Sequence, residues 1–505
     1  MVAIIDFGSQ YTNLILRRLR QLCVRAEIFP PNFTFQKRNN IKGIILSGGP
    51  QSVYDRNSLT TPKANLNLDV PILGICYGHQ FLAKALGGQV RVGDNREYGR
   101  ETIEITNKSP LFSGLGKKQN VWFSHGDQVT KLPVGFKATA TSKSCSIAAF
   151  ERNRIFGLQF HPEVIHTENG LKILENFVSL CAVTKDWSIK DQVTSLVNEI
   201  KEEIGGEKVL IAVSGGVDSL VVATLIRTAI GDRIYPVFVD SGLLREGEAE
   251  EVKSLFARLK FGNFSFIDAS KLFLTRLKGV SDPERKRKII GKIFIGVFTK
   301  EGNRLGKKEK VQFLAQGTIY PDRIESASAS KQASKIKSHH NLAIPKSIKF
   351  KILEPLKDLY KDEVRELGRS LGLQKERLWR HPFPGPGLAI RILDGVTKER
   401  LTILRKADAI YIEELTTSGL YDEIWQAFAA LLPVKSVGVM GDARTYQYIV
   451  SLRAVTSHDG MTADWFKMPA SVLEKISSRI VNEVKGVNRV VYDITQKPPA
   501  TIEYE

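Results

Sequence analysis

Three residues in the first third of the chain have the side chains needed for covalent acyl transfer: Cys76, His161 and Glu163. Cys76 stands in Gly74-Ile75-Cys76-Tyr77-Gly78, with a glycine two residues to either side, the spacing of a nucleophile elbow with sulfur in place of oxygen. A sharp strand-to-helix turn crowds the backbone around such a nucleophile, so small neighbours relieve the clash, and a helix start lowers a thiol's pKa. By itself Cys76 reads equally well as a buried structural cysteine. Phe160-His161-Pro162-Glu163 changes that balance. A histidine can take the thiol proton, and a carboxylate two residues on can hold the other ring nitrogen. Alone, His-Pro-Glu is a common surface turn.

A second constellation is Ser214-Gly215-Gly216-Val217-Asp218-Ser219. The apolar run Val209 to Val213 reads as a buried strand entering it, and Val217 to Ala229 as the helix leaving it. Such a turn cradles phosphate: glycines let the backbone approach an anion, and the first N–H groups of the helix point at it. No Gly-Lys-Ser/Thr follows, so the loop is not of the Walker type. A glycine pair before a helix is also an ordinary tight turn, and the flanking Ser, Asp and Ser are what make this one specific. A further apolar run, Ile234 to Val239, ends at Asp240 and closes a βαβ unit. Downstream, Asp282-Pro283-Glu284-Arg285-Lys286-Arg287-Lys288 joins an N-cap, a first-position proline and four consecutive basic residues. That run is either a solvated helix start or a set of charges that neutralises phosphates.

Strands alternating with helices must position these groups, which predicts parallel α/β sheets. In the first third, strands are expected at Met1–Ile5, Gly43–Leu46, Val70–Ile75 and Arg154–Gln159, with helices over Tyr11–Leu22 and Gly78–Leu86. A boundary falls near Thr184 to Asp186, followed by a helix to about Ile204 that Gly205-Gly206 stops. A helix to Leu259 and a strand at Asn263–Ile267 continue the alternation, and the polar stretch Ser326 to Lys337 reads as a lid or loop. Adjacent His339 and His340 point in different directions on a regular element, so they do not chelate as a pair.

With 505 residues and 42% hydrophobic content, the chain should hold about three domains, each with its own core. Its start reads as a strand and no apolar run reaches bilayer-spanning length, so neither a signal peptide nor a membrane partner is expected and cytoplasm is the default compartment. Cys23, Cys76, Cys145 and Cys181 lack CxxC spacing, which argues against a zinc ribbon or a disulfide framework. The formal charge of +19 comes without a nucleic-acid-binding module, so nucleic acid is not the expected partner.

Gly74 to Gln80 together with His161-Pro162-Glu163 closely resembles the class I glutamine amidotransferases. The resemblance implies Cys76 as nucleophile on the glutamine amide, His161 as general base and Glu163 as its orienter. It also implies an oxyanion hole from the backbone at Gly49 and Tyr77, and glutamine contacts from Gln80, Ser124, His125, Gly126 and Asp127. His79, His125 and His166 are not needed in the triad, and no ligand cluster makes them a metal site. The middle region resembles the ATP pyrophosphatases that carry Ser-Gly-Gly-x-Asp-Ser. This implies that Ser214 to Ser219, with Asp240, bind ATP, which is split between its α- and β-phosphates. Charge on the departing pyrophosphate calls for Mg2+, with Asp218 as its candidate ligand. Leu220 departs from the family's usual small hydroxyl.

From His381-Pro382-Phe383-Pro384-Gly385-Pro386-Gly387-Leu388 onward, Val437 to Arg444, Met461 to Trp465 and Lys497 to Glu505 resemble the C-terminal dimerisation domain of the glutamine-hydrolysing GMP synthase family. Taken alone the Pro/Gly cluster would be a linker. The joint resemblance covers essentially the whole chain. It implies a class I amidotransferase domain over 1–185, an ATP pyrophosphatase domain over 186–380 and a dimerisation domain over 381–505. The implied fold class is α/β: two parallel-sheet domains and a C-terminal α+β domain. Xanthosine monophosphate (XMP) would be bound by Lys497, Ile502 and Glu503, with Arg285, Pro384, Gly385 and Asp442 contributing. ATP would adenylylate the XMP O2, ammonia from the Cys76 site would displace AMP, and the product would be GMP. Tyr504 stands where tryptophan is usual, and Asn341 to Pro345 lacks the usual glycines. Two rival readings are a related fusion that activates a carboxylate, and a basic nucleotide-binding scaffold without catalysis.

Overall fold

The computed structural model describes residues 1–36, 40–320, 322, 350–440, 442–457 and 463–505. The expected lid from Ser326 to Lys337, the histidine pair and the segment to Pro345, and Gly441, Met461 and Thr462 lie outside the described residues. The chain forms two compact units, Met1–Ser188 and Ile189–Glu505.

The first unit is built on a nine-stranded sheet. Its strands are β1 (Val2–Ile5), β2 (Ala26–Phe29), β3 (Gly43–Leu46), β4 (Ile72–Ile75), β5 (Gln89–Ile105), β6 (Lys118–Lys131), β7 (Lys137–Thr141), β8 (Ala149–Arg152) and β9 (Ile155–Leu158), in the order β2-β1-β3-β4-β9-β8-β7-β5-β6. The five strands from β2 to β9 are parallel, and β1, β3 and β4 are buried along their whole length, as strands covered on both faces must be. The remaining four pair antiparallel, so the sheet is mixed where the sequence reading expects a parallel one. β6 alternates buried with half-buried residues, the period of a strand with one face on the core. Although β6 is last in the order, its Trp122 carbonyl accepts from the His161 amide at 3.0 Å, just past the end of β9. The antiparallel half therefore curls back over the carboxyl ends of the parallel strands.

The second unit contains a five-stranded, wholly parallel sheet: β10 (Lys208–Val213), β11 (Ile234–Asp240), β12 (Ser265–Asp268), β13 (Val311–Ala315) and β14 (Lys351–Leu353), ordered β12-β11-β10-β13-β14. The chain runs outward from β10 to β12, then returns to pair β13 on the other side of β10. That reversal makes β10 the topological switch point, where open α/β sheets bind ligands beyond the carboxyl ends of their strands. A second sheet follows from β15 (Gln426–Met440), β16 (Ala443–Thr456), β17 (Asp464–Trp465) and β18 (Val487–Tyr492). The β15–β16 hairpin is antiparallel, β18 runs parallel to β16, and helices Lys398–Thr417 and Ala470–Glu483 pack against this sheet. One apolar cluster runs from Leu210 and Val237 through Leu388 and Leu404 to Val450 and Ile480, so the core continues across residue 380.

Candidate active sites

Cys76 directly follows β4 with φ +52°, a positive value that costs a non-glycine residue energy and persists only where its surroundings impose it. Contacts account for the flanking glycines. A Cβ on Gly74 would lie 2.5 Å from the Gly78 carbonyl oxygen, and one on Gly78 would collide with the Leu46 carbonyl oxygen. The turn is pinned by the Cys76 amide donating to Leu158 O at 2.8 Å and the Gly78 amide donating to Ser47 O at 3.0 Å. The helix Tyr77–Ala85 starts immediately after the thiol. Gly49 is equally constrained, because a Cβ there would stand 2.7 Å from the Phe7 carbonyl oxygen and 3.3 Å from the Tyr77 ring. Gly49 and Tyr77 are thus packed against each other beside the thiol.

His161 Nδ1 and Glu163 Oε1 are 2.7 Å apart and both side chains are buried. Burial works against a charged imidazole here, but the charges of Glu163 and of Cys76 outweigh it and hold His161 well above its ordinary pKa. The base is locked further by Thr167 Oγ1 donating to the His161 carbonyl at 2.6 Å and by Arg18 Nε donating to the Glu163 carbonyl at 2.9 Å. β6 closes the other side. The Cys76 thiol donates to Ser124 O at 3.6 Å, and Gln80 Nε2 donates to Asp127 O at 2.6 Å. His125 Nδ1 contacts that same Asp127 carbonyl at 3.0 Å, and Ser52 Oγ donates to Asp127 Oδ2 at 2.5 Å. Gln80, Ser124, His125, Gly126 and Asp127 thus gather around the elbow. His79 packs on the Phe150 ring, and burial pushes its pKa down to about 3, so it is a core histidine. Among the described residues, no group of three or more His, Cys, Asp or Glu side chains could hold a metal ion.

At the end of β10, Gly215 has φ +78°, and Gly216 caps the helix Val217–Ile230. Ser214 Oγ accepts from the Gly216 amide at 3.3 Å, and Ser219 Oγ donates to Gly216 O at 3.1 Å, so the two hydroxyls shape the loop from within. The Asp218 carboxylate receives Lys361 Nζ on both oxygens, at 2.7 and 2.8 Å. Gly317 closes on the same loop, since a Cβ there would lie 3.3 Å from the Asp218 Cβ. Asp240, at the end of β11, spends Oδ1 on the Gly242 amide at 2.8 Å. Leu220 is buried in the core of this unit, where a small hydroxyl would leave space unfilled.

The C-terminal candidates occupy three places. Glu503 receives Arg391 on both oxygens, at 3.0 and 2.8 Å, and Gln426 Nε2 at 2.6 Å. Ile502 is buried against Phe428 and Val455. Pro384 accepts from the Gly387 amide at 2.9 Å, and exposed Gly385 lies between them, on the turn that leads to Arg391. Arg285 is exposed at the start of helix Pro283–Glu309, its amide capped by Asp282 at 2.7 Å. Its neighbour Lys286 reaches the carbonyls of Ala389 and Ile392, so Arg285, the Pro384–Gly385 turn and the tail lie in one region. Lys497 exchanges backbone hydrogen bonds with Ala463 and lines a cavity of about 850 Å3 with Trp379, Tyr421, Trp425 and Asp464. Asp442 stands apart in the turn of the β15–β16 hairpin, roughly 25–30 Å of strand beyond Leu432.

Residues 3–181 match the family model of the class I glutamine amidotransferases, and residues 413–504 match that of the GMP synthase C-terminal domain. A glutamine-hydrolysing GMP synthase of Carboxydothermus hydrogenoformans is 54% identical over 510 residues, spanning 100% of this chain and 99% of that one. Relatives of the same description from Thermosipho melanesiensis, 54% identical, and Geobacillus kaustophilus, 53% identical, are matched with the same coverage. The chain belongs to the glutamine-hydrolysing GMP synthase family.

Within that family frame, the structure adds residues that no motif exposed. Lys361 reaches Asp218 across 143 positions, and Gln159 donates to the Cys76 sulfur at 3.9 Å across 83. Arg391 and Arg453 are fully buried cations that bind the tail. A lysine on a polar helix or an arginine beside apolar residues carries no local mark of a distant carboxylate. The basic run at 285–288 divides between the two readings open for it: Arg285 is exposed, whereas Lys286 is buried and paired with Glu505 at 2.5 Å. Tyr504 keeps an aromatic edge against Phe428 and satisfies its hydroxyl on Ser451 Oγ at 2.7 Å.

Proposed function

We propose that this chain makes GMP from XMP, ATP and glutamine through two chemical centres. Cys76 passes its proton to His161 before the attack, a transfer the raised imidazole pKa favours, and the thiolate adds to the glutamine side-chain amide while Glu163 holds the imidazolium. The Gly49 and Tyr77 amides face the oxyanion, His161 returns the proton to the departing ammonia, and water releases glutamate from the thioester. Gln80, Ser124, His125, Gly126 and Asp127 line the glutamine site. In the second centre the XMP O2 attacks the ATP α-phosphorus and pyrophosphate leaves onto the loop from Ser214 to Ser219. Ammonia then adds at C2 and AMP departs. Lys361 balances charge on the pyrophosphate, and Asp240 lies at the end of the adjacent strand. Mg2+ would be held by the ATP phosphates with Asp218, now paired to Lys361, as its candidate protein ligand, and would spread the charge of the departing pyrophosphate.

XMP binding is assigned to Arg285, Pro384, Gly385, Lys497, Ile502 and Glu503, with Asp442 included on resemblance alone. The division into residues 1–185, 186–380 and 381–505 follows the same roles. The C-terminal sheet pairs two subunits, a reading supported by exposed Val434, Val437, Val439 and Tyr446 on the β15–β16 hairpin.

The whole assignment rests on one observation: a single chain carries a strained thiol elbow in one unit and a phosphate loop at a sheet's switch point in the other. Supplying XMP and ATP with either glutamine or ammonium should yield AMP, pyrophosphate and GMP in equal amounts. AMP formed with a carboxylate acceptor but not with XMP would overturn the assignment.

A further inference from the structure

Three buried cations grip the last residues of the chain. Arg391 binds the Glu503 carboxylate, and Arg453 donates to the carbonyls of Ile502 at 2.8 Å, Thr501 at 2.9 Å and Thr495 at 3.1 Å. The third, Lys286, is unexpected, because it sits inside a basic run at a helix start and yet has no exposed surface. Its Nζ has three protons and three acceptors: Ile392 O at 2.6 Å, Ala389 O at 3.2 Å and Glu505 Oε2 at 2.5 Å. Arg287 adds a bond to the main-chain oxygen of Glu505. The turn at 387–392 is therefore joined to the tail twice, by Arg391 to Glu503 and through Lys286 to Glu505.

Burial lowers the Lys286 ammonium pKa and raises that of the Glu505 carboxyl, and the attraction within the pair opposes both shifts. A desolvated pair of this kind contributes little net stability against an apolar substitute, whereas a fully satisfied buried network fixes geometry. We infer that Lys286, acting through Glu505, is a positioning residue for the acceptor nucleotide: it holds Ile502 and Glu503 in register with the 387–392 turn. The inference rests on the reading above that the tail and Lys497 bind XMP.

The test measures KM for XMP, kcat and Tm in the full-length enzyme. Glu505→Gln, which keeps the side-chain shape and removes the charge, should raise KM for XMP about tenfold with kcat within about twofold and Tm nearly unchanged. Lys286→Gln should raise KM to a similar degree, and the double variant should be no worse than the more affected single one. An unchanged KM in Glu505→Gln, or single effects that multiply in the double variant, overturns the proposal. If Lys286→Gln does not fold, Glu505→Gln decides alone. Lys497→Met separates the two layers. A raised KM there with an unchanged KM in Glu505→Gln sinks only the positioning role, and an unchanged KM in Lys497→Met sinks the assignment of the XMP site.

Discussion

On the proposed assignment the two centres divide the chemistry between them, so single substitutions should separate them. Cys76→Ala removes the only sulfur at the elbow, so glutamine-dependent GMP synthesis should vanish while ammonium-dependent synthesis persists; loss of both in a coupled assay would contradict the division of labour. Lys361→Met should act on the other centre, where it leaves the Asp218 carboxylate without its cation. Pyrophosphate release should fall by about 10²-fold or more with glutamine hydrolysis intact, and Asp218→Ala should share that pattern. Burial pushes His79 down to about 3, so the unfolded chain binds more protons than the folded one between that value and about 6.5. Stability must then rise with pH across the window and be lost as pH falls through it, by up to about 1.4 kcal/mol per pH unit for this group. His79→Gln should show a shallower fall of Tm from pH 6.5 to 4 than the wild type. The elbow at Cys76 and the pairing of His161 with Glu163 were legible in the sequence because both are local patterns. Lys361 was not, because its meaning lies wholly in a partner 143 positions away.

At the level of elements, the elbow is a junction that tolerates almost no added atom. Gly78→Ala would drive a Cβ into the Leu46 carbonyl oxygen and force either β3 or the helix Tyr77–Ala85 to shift. Glutaminase activity should drop at least about 10²-fold with a stability loss of about 1–3 kcal/mol, and ammonium-dependent GMP formation should survive. Wild-type glutaminase activity in Gly78→Ala would show that the crowding is not functional. Strands such as β1 and β3 were readable in the sequence because Val2–Ile5 and Gly43–Leu46 are unbroken apolar runs, buried on both faces, whereas the parallel β2, with no fully buried residue over Ala26–Phe29, was missed. β5 and β6 were missed for the converse reason. Their half-exposed faces carry Arg, Glu, Asn, Gln and Lys between the core positions, which blurs the alternation. The Pro/Gly cluster after His381 reads as a linker, yet it leads into a buried turn, Gly387–Arg391, whose arginine is committed to Glu503.

For the whole molecule, subunit pairing is the first property to test. Val439 is 77% exposed on the β15–β16 hairpin, so Val439→Glu cannot disturb the core and should convert a dimer to a monomer in sedimentation. A variant that stays dimeric would place the interface elsewhere, and a wild type that is already monomeric would overturn the pairing itself. The curl of the nine-stranded sheet carries a different consequence, for how the protein is made. The amidotransferase centre is closed by contacts that join Cys76 to Ser124 and Arg18 to Glu163, 48 and 145 positions apart. Such closures come late, because loop entropy is lost before distant contacts repay it. During refolding, glutaminase activity should therefore lag behind the recovery of helical and parallel-strand signal, and a nascent chain should hold an inert thiol until its antiparallel half has wrapped over it.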